Sequence, residues 1–464
     1  MPSTEDITRI EESVSSALGH HGVFDVHEHL LGREQRRERN PDLFMWIAES
    51  YLWGDLVSAG MDPGMLGDQR LSSAQKWDRL NSLLPGLVHT GYMEVCRRAW
   101  QDLCAMKATD LNSSNWQTID AAIREHTQRP GYTEDVLVQR CGMRHVLVDC
   151  LVGGTLAYFC AQQQERGWND YLCKIRPQIA DSTILQYTKQ RVTDRDYLHR
   201  VVKLDSLMWG WLPETAAENE QLLGVDTRTC RSLDAYATLI ESTIEGLVRQ
   251  GVVGLKSTAS TWRALRFECG SESLAAELLR LPVERLESEH ITAFEDFVFH
   301  RIVAGAGKYG LPLQIHTGTS YGLGGRASTR AGAADQLADL VQGYQDTVFV
   351  LMHGSWPYWG EIEQMAKRFP NVYLDLSWCA MVSPVETQRM LLSMLTSLPI
   401  KKLVWGADCV YVEESYGAMC QMRRVLVSVL AELMSHGAIG ESEAVDIAVD
   451  ILCRNGVRLY RISD

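Results

Sequence analysis

Three polar residues alternate along an apolar stretch near the start of the chain: Asp25, His27 and His29 in GVFDVHEH. In a strand, residues i and i+2 face the same side, so His27 and His29 can point inward together and chelate one ion. Alone, such a pair can equally be two hydrogen-bonded core histidines. Lys256, His316, His353 and Asp408 shift the balance, because each lies at the C-terminal end of its own short apolar run. Each has an ordinary alternative as a cap, a core histidine or a solvated lysine. Six such residues at matching strand ends point to a metal site. Imidazole and carboxylate donors suit Zn²⁺, with Mn²⁺, Fe²⁺ or Co²⁺ as alternatives. The remaining histidines, His300 among them, fall in loops, helices or strand starts and form no comparable cluster.

The elements that must position these residues are short and apolar. GVFDVHEH (22–29), RHVLVDC (144–150), HRVVKLD (199–205) and GVVGLKS (251–257) come first. LPLQIHTG (311–318), VFVLMHGS (348–355), NVYLDLS (371–377) and KKLVWGAD (401–408) follow. Near-continuous apolar runs of this length read as strands buried on both faces. Thr229–Arg249, Thr292–Tyr309 and Gly360–Phe369 lie between them with helical spacing and stop at or near Gly or Pro. Eight strands alternating with helices predict a (β/α)₈ barrel, whose strand ends converge on one mouth. A doubly wound open sheet is the competitor, but no glycine-rich phosphate turn follows the first strand.

Two insertions exceed a minimal barrel. Residues 30–141 read as mainly helical and rich in Trp and Tyr (Trp46, Tyr51, Trp53, Trp77, Tyr92, Trp100, Trp116). A smaller insertion follows the second strand, through about Arg195. The expected division is 1–29 as N-terminal helix and first strand, 30–141 as helical insertion over the mouth, and 142–464 as the rest of the barrel with C-terminal helices. Long insertions at strand C-termini serve as lids or added subdomains. A helical oligomer interface is the alternative, and the two roles can coexist.

Composition narrows the class further. The 464 residues carry 45 Lys and Arg against 59 Asp and Glu, a formal charge of −14. So acidic a surface argues against nucleic-acid or anionic-membrane partners and for a small-molecule substrate. The acidic N-terminus lacks the pattern of a signal peptide, and the twelve scattered Cys, such as Cys150, Cys160 and Cys453, read as reduced and buried. Both features predict a cytoplasmic protein.

Taken together, FDVHEHL, GLKS, LQIHTG, LMHGSWPYW, NVYLDLSW and VWGADC resemble the metal-dependent amidohydrolase superfamily, in its amidohydrolase-2 branch. The resemblance runs from about Val23 to Asp408. YLWGDL and KWDRL are more faintly similar to uronate isomerases, which also carry a helical insertion after the first strand. The resemblance implies that His27 and His29 hold a first metal and that His316 and His353 hold a second. It implies that Lys256 is carboxylated and bridges the two, and that Asp408 binds metal and shuttles the proton. In the one-metal form, His27, His29, His316 and Asp408 are the ligands and His353 polarises substrate. The implied reaction is hydrolysis of an amide, or a related C–N or ester bond, by metal-activated water, with Asp408 as base.

Substrate signals are thinner. Arg263, seven residues beyond Lys256, could hold a substrate carboxylate. Trp356, Tyr358 and Trp378 could wall an apolar part of a pocket. The glycine-rich stretch 318–325 reads as an active-site loop. Two rivals stand beside hydrolysis: a uronate-isomerase-like isomerase or metal-assisted decarboxylase on the same scaffold, and a non-catalytic metal-binding scaffold. The second conflicts with an open coordination position, since structural zinc sites are closed.

Overall fold

The computed structural model describes residues 3–150, 197–282, 285–319 and 329–462. Its strands are β1 (Val23–Glu28), β2 (Met143–Cys150), β3 (Leu198–Lys203), β4 (Val252–Ser257), β5 (Leu313–His316), β6 (Phe349–Met352), β7 (Val372–Asp375) and β8 (Leu403–Val404). They form one eight-stranded sheet in the order β1 to β8. The chain then returns to its start. The Val26 N–H donates to the Trp405 carbonyl (3.1 Å), Asp408 N–H to His27 (2.8 Å) and His29 N–H to Cys409 (3.0 Å). These bonds nearly close the sheet into the expected (β/α)₈ barrel.

Every apolar run holds a strand; β2 and β3 start one residue before their runs, and the other regular parts are shorter than theirs. β8 keeps only two residues, because Ile400–Lys402 form a 3₁₀ turn and the chain leaves the ladder after Val404. His29, His353 and Asp408 therefore sit just beyond strands. β1 is also irregular: Asp25 pairs with Val146 and Glu28 with Val148, a register shift that re-aims the residues between them.

Contact density divides the chain into two compact units, one comprising chiefly Met1–Val148 with Asp375–Arg458, the other chiefly Asp149–Ser320 and Gly324–Leu374. In the first, helix Thr4–His21 starts where the Ser3 side chain accepts the Asp6 N–H and stops at Gly22, whose φ of 77° suits glycine. Its buried stripe is Ile10, Val14 and Leu18, at helical spacing. The segment after β1 folds as helices Arg33–Arg39, Leu43–Glu49, Leu52–Ser58, Ser73–Asn81, Gly91–Leu103 and Trp116–Gln128. Asp42, Ser72 and Thr90 each cap the helix that follows by accepting an N–H three residues on. Two devices fasten this segment to helix Val412–Ser435. Arg36 makes a buried ion pair with Glu413 (2.5 Å). Gly417 lets helix Gly91–Leu103 come close, since a Cβ there would lie 2.2 Å from the Val95 carbonyl oxygen.

In the second unit β3 to β7 pair in parallel, with Leu255 opposite Leu313, Leu313 opposite Phe349 and Phe349 opposite Val372. These four side chains are fully buried or nearly so. Helices Leu233–Arg249, Ser288–Tyr309 and Trp359–Arg368 match the helical spacings, and Gly310 (φ 65°) ends the second of them. The insertion after β2 and most of the glycine-rich stretch 318–325 lie outside the described residues, as do Cys160 and the Cys150 side chain. Cys453 is buried as expected. Among the described residues no helix is long and apolar enough to cross a membrane.

Candidate metal centre

The first unit brings together three of the expected ligands. Asp408 follows β8 in a left-handed conformation (φ 66°), which for a non-glycine residue carries strain of about 1–2 kcal/mol. Its N–H is anchored on the His27 carbonyl, and that bond aims the side chain back at β1. One carboxylate oxygen, Oδ1, lies 3.0 Å from His27 Nε2 and 3.2 Å from His29 Nε2. The two imidazole rings stand edge to face, 4.7 Å apart. Donors bound at roughly 2.0–2.2 Å around a tetrahedral ion are themselves about 3.3–3.6 Å apart. The observed separations need only slight widening, so these residues fit a divalent metal. His27 and Asp408 are nearly sealed from solvent, whereas the His29 side chain keeps 21% of its surface and leaves an approach.

A second layer of groups holds this trio. The Tyr51 hydroxyl donates to the other Asp408 oxygen, Oδ2, at 2.7 Å. Burial, and after it the Asp408 charge, push the Tyr51 phenol well above the usual tyrosine range, so it remains a donor. The Tyr51 N–H in turn donates to Glu414 Oε1 (2.9 Å), a carboxyl pushed up to about 8 mainly by burial. Beneath the histidines, Asp25 accepts N–H groups from His27 (3.0 Å) and Ala407 (3.2 Å). Burial, with the Asp375 charge adding to it, still holds Asp25 well above the ordinary carboxylate range. Gly406 makes the layer possible: a Cβ there would lie 2.5 Å from the His27 nitrogen and 2.7 Å from Asp25 Oδ1.

An aromatic wall completes this half. Tyr51 stacks on Tyr92 (5.5 Å between centroids, 16° between planes), and both approach Trp378 (5.4 and 6.5 Å). Trp378 is thus gathered beside Asp408, and it too has positive φ (67°). Tyr51 and Tyr92 were not among the expected site residues. Their only signal was the aromatic richness of the insertion.

The second unit holds the other expected residues. The His316 and His353 rings lie 4.4 Å apart, and His316 Nε2 is 2.9 Å from the Thr319 carbonyl oxygen. His353, Gly354 and Ser355 form a run of left-handed residues directly after β6 (φ 62°, 57° and 51°). Lys256 Nζ lies 3.1 Å from Asp149 Oδ2, and Lys203 Nζ lies 3.7 Å from the same oxygen. Asp149 is thus a neighbour of Lys256 that the expected set did not contain.

Arg263 does not behave as a free carboxylate hook. Its guanidinium is held by Glu295 (3.0 Å), Asp296 (2.5 Å) and the carbonyls of Ala264 and Arg266. A substrate carboxylate would have to displace two buried acids, so the expected role is not carried further. Tyr358 is likewise engaged, with Thr329 at 2.8 Å and the Arg330 guanidinium over its ring at 4.5 Å. Trp356 uses its carbonyl to accept the Thr319 N–H at 2.7 Å.

Known proteins agree with the resemblance read from the strand ends. Residues 234–425 match the family described as Amidohydrolase, a stretch that includes Lys256, His316, His353 and Asp408. The protein fluG of Emericella nidulans is 34% identical over 156 residues, which is 33% of this chain and 18% of that protein. The match thus spans less than a fifth of that relative's length. Among solved structures, the uronate isomerase of Thermotoga maritima superposes with a TM-score of 0.72 at 16% identity, covering 99% of this chain and 98% of its own. The glucuronate isomerase of Caulobacter crescentus also gives 0.72, at 14% identity, covering 100% and 96%. A candidate metal-dependent hydrolase from Lactobacillus casei gives 0.59 at 15% identity, covering 97% of each chain. At such identities these likenesses establish the barrel fold alone.

Proposed function

We propose that the chain is a metal-dependent hydrolase that cleaves an amide, or a related C–N or ester bond, of a small molecule. The observation that carries this reading is the approach of His27 Nε2 and His29 Nε2 to one oxygen of Asp408, with Tyr51 on the other. His27, His29 and Asp408 would hold one divalent ion, with zinc the best match to this donor set. A bound ion supplies Lewis acidity and a water acidified towards neutrality. The chain's own residues do the rest. Asp408 accepts a proton at its carboxylate and returns it to the leaving group, while Tyr51 fixes which oxygen faces the histidines. The Tyr51, Tyr92 and Trp378 rings keep bulk water from the carboxylate and offer an apolar surface to the substrate.

The resemblance assigns His316 and His353 as further ligands or substrate contacts, and metal content of the His316→Ala and His353→Ala proteins tests that. A carboxylated Lys256 is less favoured by its surroundings. An ammonium there neutralises Asp149, whereas a carbamate would set two negative charges side by side unless a second ion lay between them. One ion is therefore proposed in place of two.

A specific observation keeps one alternative alive. The fold matches that of uronate isomerases over nearly the whole chain, the helical insertion included. On that reading Asp408 and Tyr51 would move a proton between adjacent carbons of a sugar acid. Turnover of N-acyl amino acids and γ-glutamyl amides against uronates, with metal content measured alongside, separates the two. Release of amine supports hydrolysis; aldose–ketose interconversion without bond cleavage overturns it.

A further inference from the structure

The glutamate between the two histidines of β1 has a partner of its own. Glu28 is fully buried in the first unit, and its Oε2 accepts the Cys409 N–H at 2.6 Å. That bond completes a row. Three consecutive residues beyond β8 all donate their N–H groups to β1. Ala407 donates to the Asp25 carboxyl (3.2 Å), Asp408 to the His27 carbonyl (2.8 Å) and Cys409 to Glu28. The Cys409 carbonyl in turn accepts the His29 N–H at 3.0 Å.

Asp408 is the middle residue of this row. Its φ of 66° is one that a non-glycine residue holds only when its surroundings impose it. Its own N–H fixes the near side of that turn, and the Glu28 carboxyl fixes the far side. The bonds to the His27 carbonyl and from the His29 N–H are made by backbone and do not depend on the side chain at position 28. The Cys409 N–H is different. Cys409 is itself fully buried, so without Glu28 this donor has no water to turn to. A peptide rotation that found it another acceptor would carry Asp408 out of its left-handed turn. Asp408 Oδ1 would then leave its place 3.0 and 3.2 Å from the histidines. Reach matters as much as polarity, because a side chain one C–C bond shorter draws the carboxyl back by about 1.5 Å.

We propose that Glu28 is the positioning residue for Asp408. Its carboxyl holds the Cys409 N–H and thereby sets the direction in which Asp408 meets His27, His29 and a bound ion. This inference rests on the metal-centre reading above. Outer groups that orient a metal ligand are worth about 10- to 100-fold in metal affinity.

Zinc affinity of metal-stripped protein is measured by competition with a chromophoric chelator, for wild type, Glu28→Gln, Glu28→Asp and Glu28→Leu. Hydrogen–deuterium exchange across residues 405–411 is followed by mass spectrometry on the same stripped proteins. Glu28→Gln keeps an acceptor oxygen at full reach without the charge, whereas Glu28→Asp keeps the charge without the reach. Glu28→Asp and Glu28→Leu should lose about 10- to 100-fold in zinc affinity and exchange faster at 405–411. Glu28→Gln should recover most of both. If Glu28→Leu does not fold, the other two variants carry the comparison. Zinc affinity in Glu28→Asp equal to or better than in Glu28→Gln overturns the proposal, since charge and not reach would then matter. So does wild-type zinc affinity or wild-type exchange in Glu28→Asp. A wild-type protein that binds no zinc refutes the metal centre, and the order of exchange among the variants still decides whether Glu28 holds Asp408.

Discussion

Removing the Tyr51 hydroxyl isolates the part of the site that the insertion contributes. Tyr51→Phe keeps the ring stacked on Tyr92 and beside Trp378, and deletes only the donor that reaches Asp408 Oδ2 at 2.7 Å. A buried hydrogen bond to a charged acceptor contributes about 1.5–3 kcal/mol. If all of it is felt in the proton-transfer step, turnover falls by roughly 10- to 150-fold, by the equivalence of about 1.4 kcal/mol to a factor of ten. His27 and His29 meet the other oxygen, Oδ1, so metal content should stay at the wild-type level. The assay is steady-state kinetics on the best substrate from the screen, with metal analysis and a melting curve on the same preparation. A fall in kcat with little change in KM is expected. Wild-type turnover in a metal-loaded, folded Tyr51→Phe protein would refute the idea that the insertion completes the site. Loss of metal along with activity would place Tyr51 in metal retention instead.

Asp408→Asn should retain its shape while losing basicity, lowering turnover about 10²- to 10⁴-fold in protein that still carries metal, as kinetics with parallel metal analysis will show. The Arg36–Glu413 pair is buried and made through two bonds, at 2.5 and 3.0 Å. Arg36→Met alone should destabilise by about 3–5 kcal/mol in urea melts, whereas Arg36→Met with Glu413→Leu should come back near wild type. Burial raises the Glu413 carboxyl, but Arg36 outweighs it and holds it below the ordinary glutamate range. The pair's stabilisation is therefore present above the ordinary range and lost as pH falls through the depressed value. Lys402 is held at about 8, down from an ordinary 10.5, by burial and by neighbouring Lys401. Between those values the unfolded chain binds more protons, so stability should rise with pH there. Lys402→Met should remove that rise and stabilise the protein at pH 7 by about 1–3 kcal/mol.

Local signals carried the barrel. Each of the eight strands falls on an apolar run to within one residue, because a strand buried on both faces leaves a pattern that needs no knowledge of its neighbours. His27 and His29 were legible for the same reason, as alternating residues at a strand end. Asp408 was legible as a strand-end residue, but its left-handed backbone and its aim at β1 were not. They arise from a hydrogen bond to a residue hundreds of positions earlier. The Tyr51 contact with Asp408 is likewise long-range, set by how the insertion helices pack on helix Val412–Ser435. Arg263 shows the opposite failure. Its spacing from Lys256 suggested a substrate contact, yet the acids that hold it, Glu295 and Asp296, come from the next long helix and were invisible at that distance in sequence.

The central claim is that His27, His29 and Asp408 hold a catalytic divalent ion. Metal content by inductively coupled plasma mass spectrometry, on wild type, His27→Ala and His29→Ala purified side by side, tests it most directly. The account predicts about one tightly held ion per chain in wild type and near-complete loss in both folded variants. Full metal occupancy in both variants, or a wild-type protein that binds no divalent ion when one is supplied, would contradict it.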